Sequence, residues 1–125
     1  DNPAPTPAQE AEAVDSVRAG TLLQVAFALQ RGGATDEALP RADEALKLRP
    51  ANIPALNLRA EIASARDDWD TALAMYREIW KLNPRDFFAG NNIAWILADK
   101  KNDPAAALAF VDDIRKGRHA NHPVA

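Results

Sequence analysis

The sequence predicts an all-α chain of about six helices packed as antiparallel hairpins, and three observations predict it. The 125 residues land on themselves when slid by 34 positions. Pro50 falls on Pro84, Leu22 on Leu56, Leu39 on Leu73, Leu48 on Leu82 and Glu44 on Glu78. Ala38 falls on Ala72, and Ala26 on Ala60 and then Ala94, while EALKLRP (44–50) and EIWKLNP (78–84) read as one phrase. The composition, with 27 alanines against five glycines and one tyrosine, favours helix and close small-residue packing over strand. No segment sustains the period-2 alternation of a half-buried strand.

Each element has its own signals. Residues 1–6 form a Pro/Ala-rich tail, because closely spaced prolines prevent a helix from propagating. Thr6 followed by Pro7 and Gln9 has the shape of a capping box with proline at the first helical position. Apolar residues then recur at Ala11, Val14, Leu22, Val25, Ala26 and Leu29 until Gly32-Gly33 stop the helix. Glycine in a helix interior costs only about 1 kcal/mol, too little to force a break at Gly20, so one long helix is expected. The alternative is a separate short helix folding back at Gly20. A second helix is expected from about Thr35 to Leu48, and a third over about Ile53–Ala65. A fourth, capped by Asp67 or Asp68, ends before Pro84. A fifth runs from about Asp86 to Lys100, and Asp103-Pro104 open a sixth with Ala107, Phe110, Val111 and Ile114 as its apolar stripe. Connections of about three to five residues force antiparallel neighbours.

Composition also excludes function classes. Fifteen basic against eighteen acidic residues leave a net charge of −3, with a pI near 5.3, which lacks the concentrated positive surface that nucleic acid requires. Without cysteine there are no disulfides, thiolate zinc sites or iron–sulfur clusters. No apolar run approaches the roughly 20 residues of a membrane-spanning helix.

Helix pairs at this period resemble the tetratricopeptide repeat, whose pattern is W-x2-L-G-x2-Y, then A-x3-F, then P. The first copy reads Leu22-x2-Val25-Ala26-x2-Leu29, Ala38-x3-Ala42, Pro50. The second reads Leu56-x2-Arg59-Ala60-x2-Ala63, Ala72-x3-Tyr76, Pro84. The third reads Gly90-x2-Ile93-Ala94-x2-Leu97, Ala106-x3-Phe110, with no closing proline in register. The resemblance covers about residues 19–118, and GNNIAWILADKKNDPAAAL (90–108) also resembles the closing repeat of some bacterial members. It implies a right-handed α-solenoid of three antiparallel hairpins over residues 7–118, with repeats at about 19–52, 53–86 and 87–118 and a helix extension at 7–18. Residues 119–125 would lead towards a possible further repeat. Three departures weaken individual contacts: Arg59 at an apolar position, Gly90 at a large one, and Pro40 within the first turns of its helix.

No catalytic set emerges. Ser16, Ser64, His119 and His122 do not make a nucleophile–base–orienter group. His119 and His122 have metal-compatible spacing but sit in a polar tail, where solvated side chains are expected. Asp67, Asp68 and Asp70 read as caps and dipole partners at a helix start. Asp112 and Asp113 diverge by about 100° on a helix and cannot act as an acid/base pair. Gly32-Gly33 lacks the lysine and hydroxyl of a phosphate loop. Lys100, Lys101, Arg115, Lys116 and Arg118 are offset by Asp99, Asp103, Asp112 and Asp113, as on a solvated face. Neither an enzyme nor a cofactor is expected.

The resemblance implies instead a scaffold that binds a peptide or partner helix in a concave groove lined by the first helix of each repeat. The inward positions are Gly20, Leu23, Phe27 and Gln30, then Pro54, Asn57, Glu61 and Ser64, then Phe88, Asn91, Trp95 and Ala98. From these, Leu23, Phe27, Asn57, Glu61, Phe88, Asn91 and Trp95 form the candidate site, with amides to meet a ligand backbone and rings to supply buried area. The carboxylate clamp by which some family members hold a C-terminal tail is not expected. Its positions carry Leu23, Phe27, Leu58, Phe88 and Asn92, and only Asn92 fits.

The competing reading is an architectural or oligomerising segment of a longer protein. The apolar residues of the last helix exceed what its own hairpin can cover. That end is therefore expected to continue into another helix, to self-associate through this face, or to be covered by a partner. Asp1 in place of methionine is expected of a processed or trimmed segment. The Pro/Ala tail and the missing cysteines fit an extracytoplasmic bacterial location, periplasmic or anchored, with the cytoplasm still open.

Overall fold

The first helix begins at the predicted cap. The Thr6 hydroxyl accepts from the Gln9 amide at 3.1 Å and the Gln9 side chain accepts from the Thr6 amide at 2.8 Å. The computed structural model describes the backbone of residues 2–121 and side chains as far as Gly117. From the cap, α1 runs unbroken from Pro7 to Arg31, straight through Gly20. No breaker interrupts it as Pro50 does before the next hairpin. Arg49 secures the extension by donating to the Glu12 carbonyl at 2.8 Å and to the Ser16 hydroxyl.

Then follow α2 (Thr35–Leu48), α3 (Ile53–Ala65), α4 (Trp69–Leu82), α5 (Phe87–Trp95) and α6 (Pro104–Asn121). Among the described residues there is no strand. Asn52, Asp68, Asp86 and Asp103 cap α3 to α6, each side chain accepting from a backbone amide three residues on. The Thr71 side chain and amide hold the Asp68 carboxyl below the usual carboxylate range. Of the aspartates clustered at this helix start, Asp68 caps and Asp70 pairs with Lys101. Asp67 takes the left-handed turn conformation at φ 57°. The reading of His119 and His122 as solvated tail residues falls outside the described side chains.

Consecutive helices pack on one another, α1 on α2, α2 on α3 and onwards, so three hairpins stack as an all-α solenoid. Alanines sit at the crossings: Ala26, Ala38, Ala42, Ala55, Ala60, Ala72 and Ala89 are fully buried and let the backbones approach. Larger residues fill the gaps. Leu58 and Ile62 lie with Leu23 in one cluster, and Tyr76, Ile79, Ile93 and Ile96 lie in the other.

The three departures have distinct outcomes. Arg59 is not a defect in the apolar seam, because its Nε donates to Asp43 at 2.8 Å and ties α3 to α2. Gly90 admits the Trp80 indole, which fills the space of the larger residue expected there. Pro40 does lie inside α2, where it leaves the Asp36 carbonyl without its helical donor.

The third hairpin departs from the predicted register. After Trp95 the helix widens into a π turn over Ile96–Lys100. The chain closes the first two hairpins with Ala34 N–H donating to the Leu29 carbonyl and Asp68 N–H to the Ala63 carbonyl. In the third, Asp103 N–H donates to the Leu97 carbonyl, one residue further round. Left-handed backbone recurs at Gly33, Asp67 and Asn102, so the last spacing is 35 residues. A π turn accommodates one extra residue without ending the helix. The alignment Ala106-x3-Phe110 is therefore corrected to Ala107-x3-Val111. Ala107, not Ala106, is the buried counterpart of Ala38 and Ala72, and Phe110 packs on Trp80 with ring centroids 5.5 Å apart.

Candidate interaction surface

The seven candidate residues lie on α1, α3 and α5, the first helices of the three hairpins, and the structure distributes them unequally. Leu23 is 9% exposed and packs with Ala26, Ala42, Leu58 and Ile62, so it belongs to the core and offers a ligand little area. Phe27 is half-buried against the same cluster. Asn57 is half-buried, and its Oδ1 is enclosed without a protein donor. Gln30 Oε1, on an inward position of α1, is in the same state. Glu61 and Asn91 are exposed.

Phe88, Asn91 and Trp95 fall at positions i, i+3 and i+7 and share one face of α5. Phe88 is 59% exposed and Trp95 45%, a large apolar area for a protein surface. Each ring is held edge-on by an aromatic of α4. Phe88 meets Tyr76 at 6.3 Å between centroids, and Trp95 meets Trp69 at 5.5 Å. Such edge-to-face pairs contribute about 0.5–1.5 kcal/mol beyond area burial and restrict the rings to one orientation.

The π turn adds a cation to the second pair. Lys100 Nζ stands 5.1 Å from the Trp69 ring centroid and 5.3 Å from that of Trp95, with the Asp99 carboxylate 3.5 Å away. Lys101 pairs with Asp70 on α4. Of the basic residues expected on a solvated face, these two are thus engaged at the α4–α5 contact.

Tyr76 and Trp69 were missed as site residues because their helix reads as a core-facing one. Tyr76 is buried at the junction of α3, α4 and α5. Burial and then the Glu61 charge push its phenol above the ordinary value, opposed by a hydrogen bond with the Ser64 side chain. A signal for both existed: Trp69 and Tyr76 stand seven residues apart on α4 as Phe88 and Trp95 do on α5, so each pair shares one helix face. At the positions of the carboxylate clamp, Leu58 is buried and the Asn92 amide donates to its own helix at the Phe88 carbonyl, 2.9 Å away.

The arrangement therefore offers rigid rings beside amides and an acidic residue, which suits contact with another polypeptide. Searches for a matching protein-family profile and for a similar curated protein find none. Among solved structures the chain is similar to PilW, described as a widely conserved type IV pilus biogenesis factor. The identity is 28% and the TM-score 0.63, over 78% of this chain and 44% of that one. The chain thus spans less than half of that neighbour's length. The likeness supports a helical fold of tetratricopeptide type.

Proposed function

We propose that this chain is a non-enzymatic interaction scaffold that binds a peptide or partner helix along the face shared by α1, α3 and α5. It would do so as three tetratricopeptide repeats, at about 19–52, 53–86 and 87–118, behind a helix extension at 7–18. The observation that carries the reading is the pair of exposed, edge-clamped rings on one face of α5, Phe88 and Trp95. Exposed aromatics fixed in one orientation bind with little loss of side-chain entropy, which is why tryptophan is enriched among interface hot spots. The exposed Asn91 amide, between the two rings on the same face, is suited to donate to and accept from a ligand's backbone. Glu61 favours a neutral or basic segment over an acidic one. The likeness to a pilus biogenesis factor fits a role among proteins that assemble other polypeptides.

The test is affinity capture with the wild-type chain, Trp95→Ala and Asn91→Ala, read by mass spectrometry and paired with thermal melting of each protein. A polypeptide retained by the wild type and lost from both variants, with the fold intact, supports the reading. Equal capture by all three proteins refutes it.

A further inference from the structure

We infer that the polypeptide bound along α3 and α5 presents an arginine, whose guanidinium lies over the Phe88 ring and pairs with the Glu61 carboxylate. This ligand chemistry rests on the interaction-scaffold reading and makes it specific. Charge singles out the position. Of the inward positions on the three first helices, Glu61 alone carries a charge. The other charged residue of α3, Arg59, is engaged by Asp43 at 2.8 Å. Glu61 itself is exposed and has no ion-pair partner among the described residues. α5 contributes no charge, and Lys100 beyond it lies 3.5 Å from the Asp99 carboxylate. The face is therefore left with one uncompensated negative charge, which repels an acidic ligand and attracts a cation.

Tyr76 joins the carboxylate to the ring. Its own ring centroid lies 6.3 Å from that of Phe88, and its phenol responds to the Glu61 charge. Phe88 stays 59% exposed after that contact, so ring area remains for a cation. A guanidinium is planar, stacks on an aromatic face and forks onto a carboxylate, which a compact ammonium cannot match. An exposed ion pair alone is weak, and stacking beneath a bound chain strengthens it by excluding water. The molecule builds a similar arrangement once for itself. Lys100 Nζ stands 5.1 and 5.3 Å from the centroids of Trp69 and Trp95, with Asp99 beside it. At Glu61 and Phe88 the carboxylate and the ring are in place, and the partner supplies the cation. Lys100 also disfavours a second cation at Trp95, which puts the arginine at the Phe88 end and an apolar residue on the indole.

The probe is a library of random linear peptides displayed on phage, selected in parallel on the wild-type chain and on Trp95→Ala. Peptides that the wild type retains and the variant loses should share an arginine. The tightest of them is then resynthesised with arginine and with citrulline, its neutral isostere. Calorimetric titration compares both forms on the wild type and on Glu61→Gln, an exposed change whose thermal melting confirms the fold. Each single change should weaken binding about tenfold, and the two together no more than either alone, because the groups touch. Phe88→Leu should weaken the arginine form more than the citrulline form, and added salt should narrow the gap between the two forms. Selected peptides without a shared arginine, or losses that simply add, overturn the arginine assignment and leave the scaffold reading intact. Selection of no peptide over Trp95→Ala overturns both.

Discussion

Gly90 lies so close to Trp80 that a Cβ added to it would stand 2.8 Å from the indole Cζ3. The indole has little freedom to retreat, because Phe87 and Phe110 both pack on it, with ring centroids 6.1 and 5.5 Å away. A missing side chain on α5 is thus what lets a tryptophan of α4 lie between two hairpins. Gly90→Ala gains about 1 kcal/mol of helix propensity and meets an overpacking penalty of about 1–3 kcal/mol. The expected outcome is a net destabilisation of about 1 kcal/mol, read by urea or thermal unfolding.

Gly20 is the opposite case. An added Cβ there meets nothing within 4 Å and the surrounding helix is continuous. Gly20→Ala should raise stability by about 1 kcal/mol. Pro40→Ala should do the same by about 1–2 kcal/mol, because it restores a hydrogen bond inside α2 while giving up some ordering of the unfolded chain. Denaturant midpoints measured on the two single variants check both.

Trp95→Ala separates anchor from core. A fully buried aromatic truncated to alanine loses about 3–5 kcal/mol of folding stability. Trp95 is nearly half exposed, so its loss should destabilise by only about 1–2 kcal/mol, mostly through the Trp69 and Lys100 contacts. Binding to the captured partner should fall by about 2 kcal/mol, roughly thirtyfold. Calorimetry of binding and thermal melting on this one variant measure the two quantities.

Tyr76 titrates above the ordinary phenol value of 10.0 because burial, and then Glu61, disfavour the phenolate. A raised native value means that the folded protein holds this proton more tightly than the unfolded chain does. The stabilisation is complete below the unfolded value and is lost as pH rises through the native one. Stability should therefore decline above about pH 10. Since Tyr76 is the sole tyrosine, near-ultraviolet absorbance follows it directly. Glu61→Gln should move the midpoint down.

Much of the fold was legible because its signals are local. Thr6, Pro7 and Gln9 specify a helix start whatever surrounds them, and Pro50 and Pro84 end helices by the same backbone constraint. The extra residue in the third hairpin was legible only in part. Asp68 and Asp103 both cap helices and stand 35 residues apart, which breaks the 34-residue period, but matching alanines at 72 and 106 concealed the shift. At the candidate site, spacing alone put Phe88, Asn91 and Trp95 on one face. It could not sort Leu23 into the core, since a leucine at an inward register position reads the same whether a neighbour covers it or not.

The sequence by itself determined which segments are helical, where each begins, and that hairpins recur, because caps, breakers and apolar period act within a few residues. Tertiary structure decided what the departures mean. Arg59 became a tie between hairpins once Asp43 lay across from it, and Gly90 became a seat for Trp80. The π turn brought Lys100 over two indoles. These outcomes depend on which side chains meet from 5 to 31 residues apart, and such juxtaposition is set by packing rather than by the residues' own preferences.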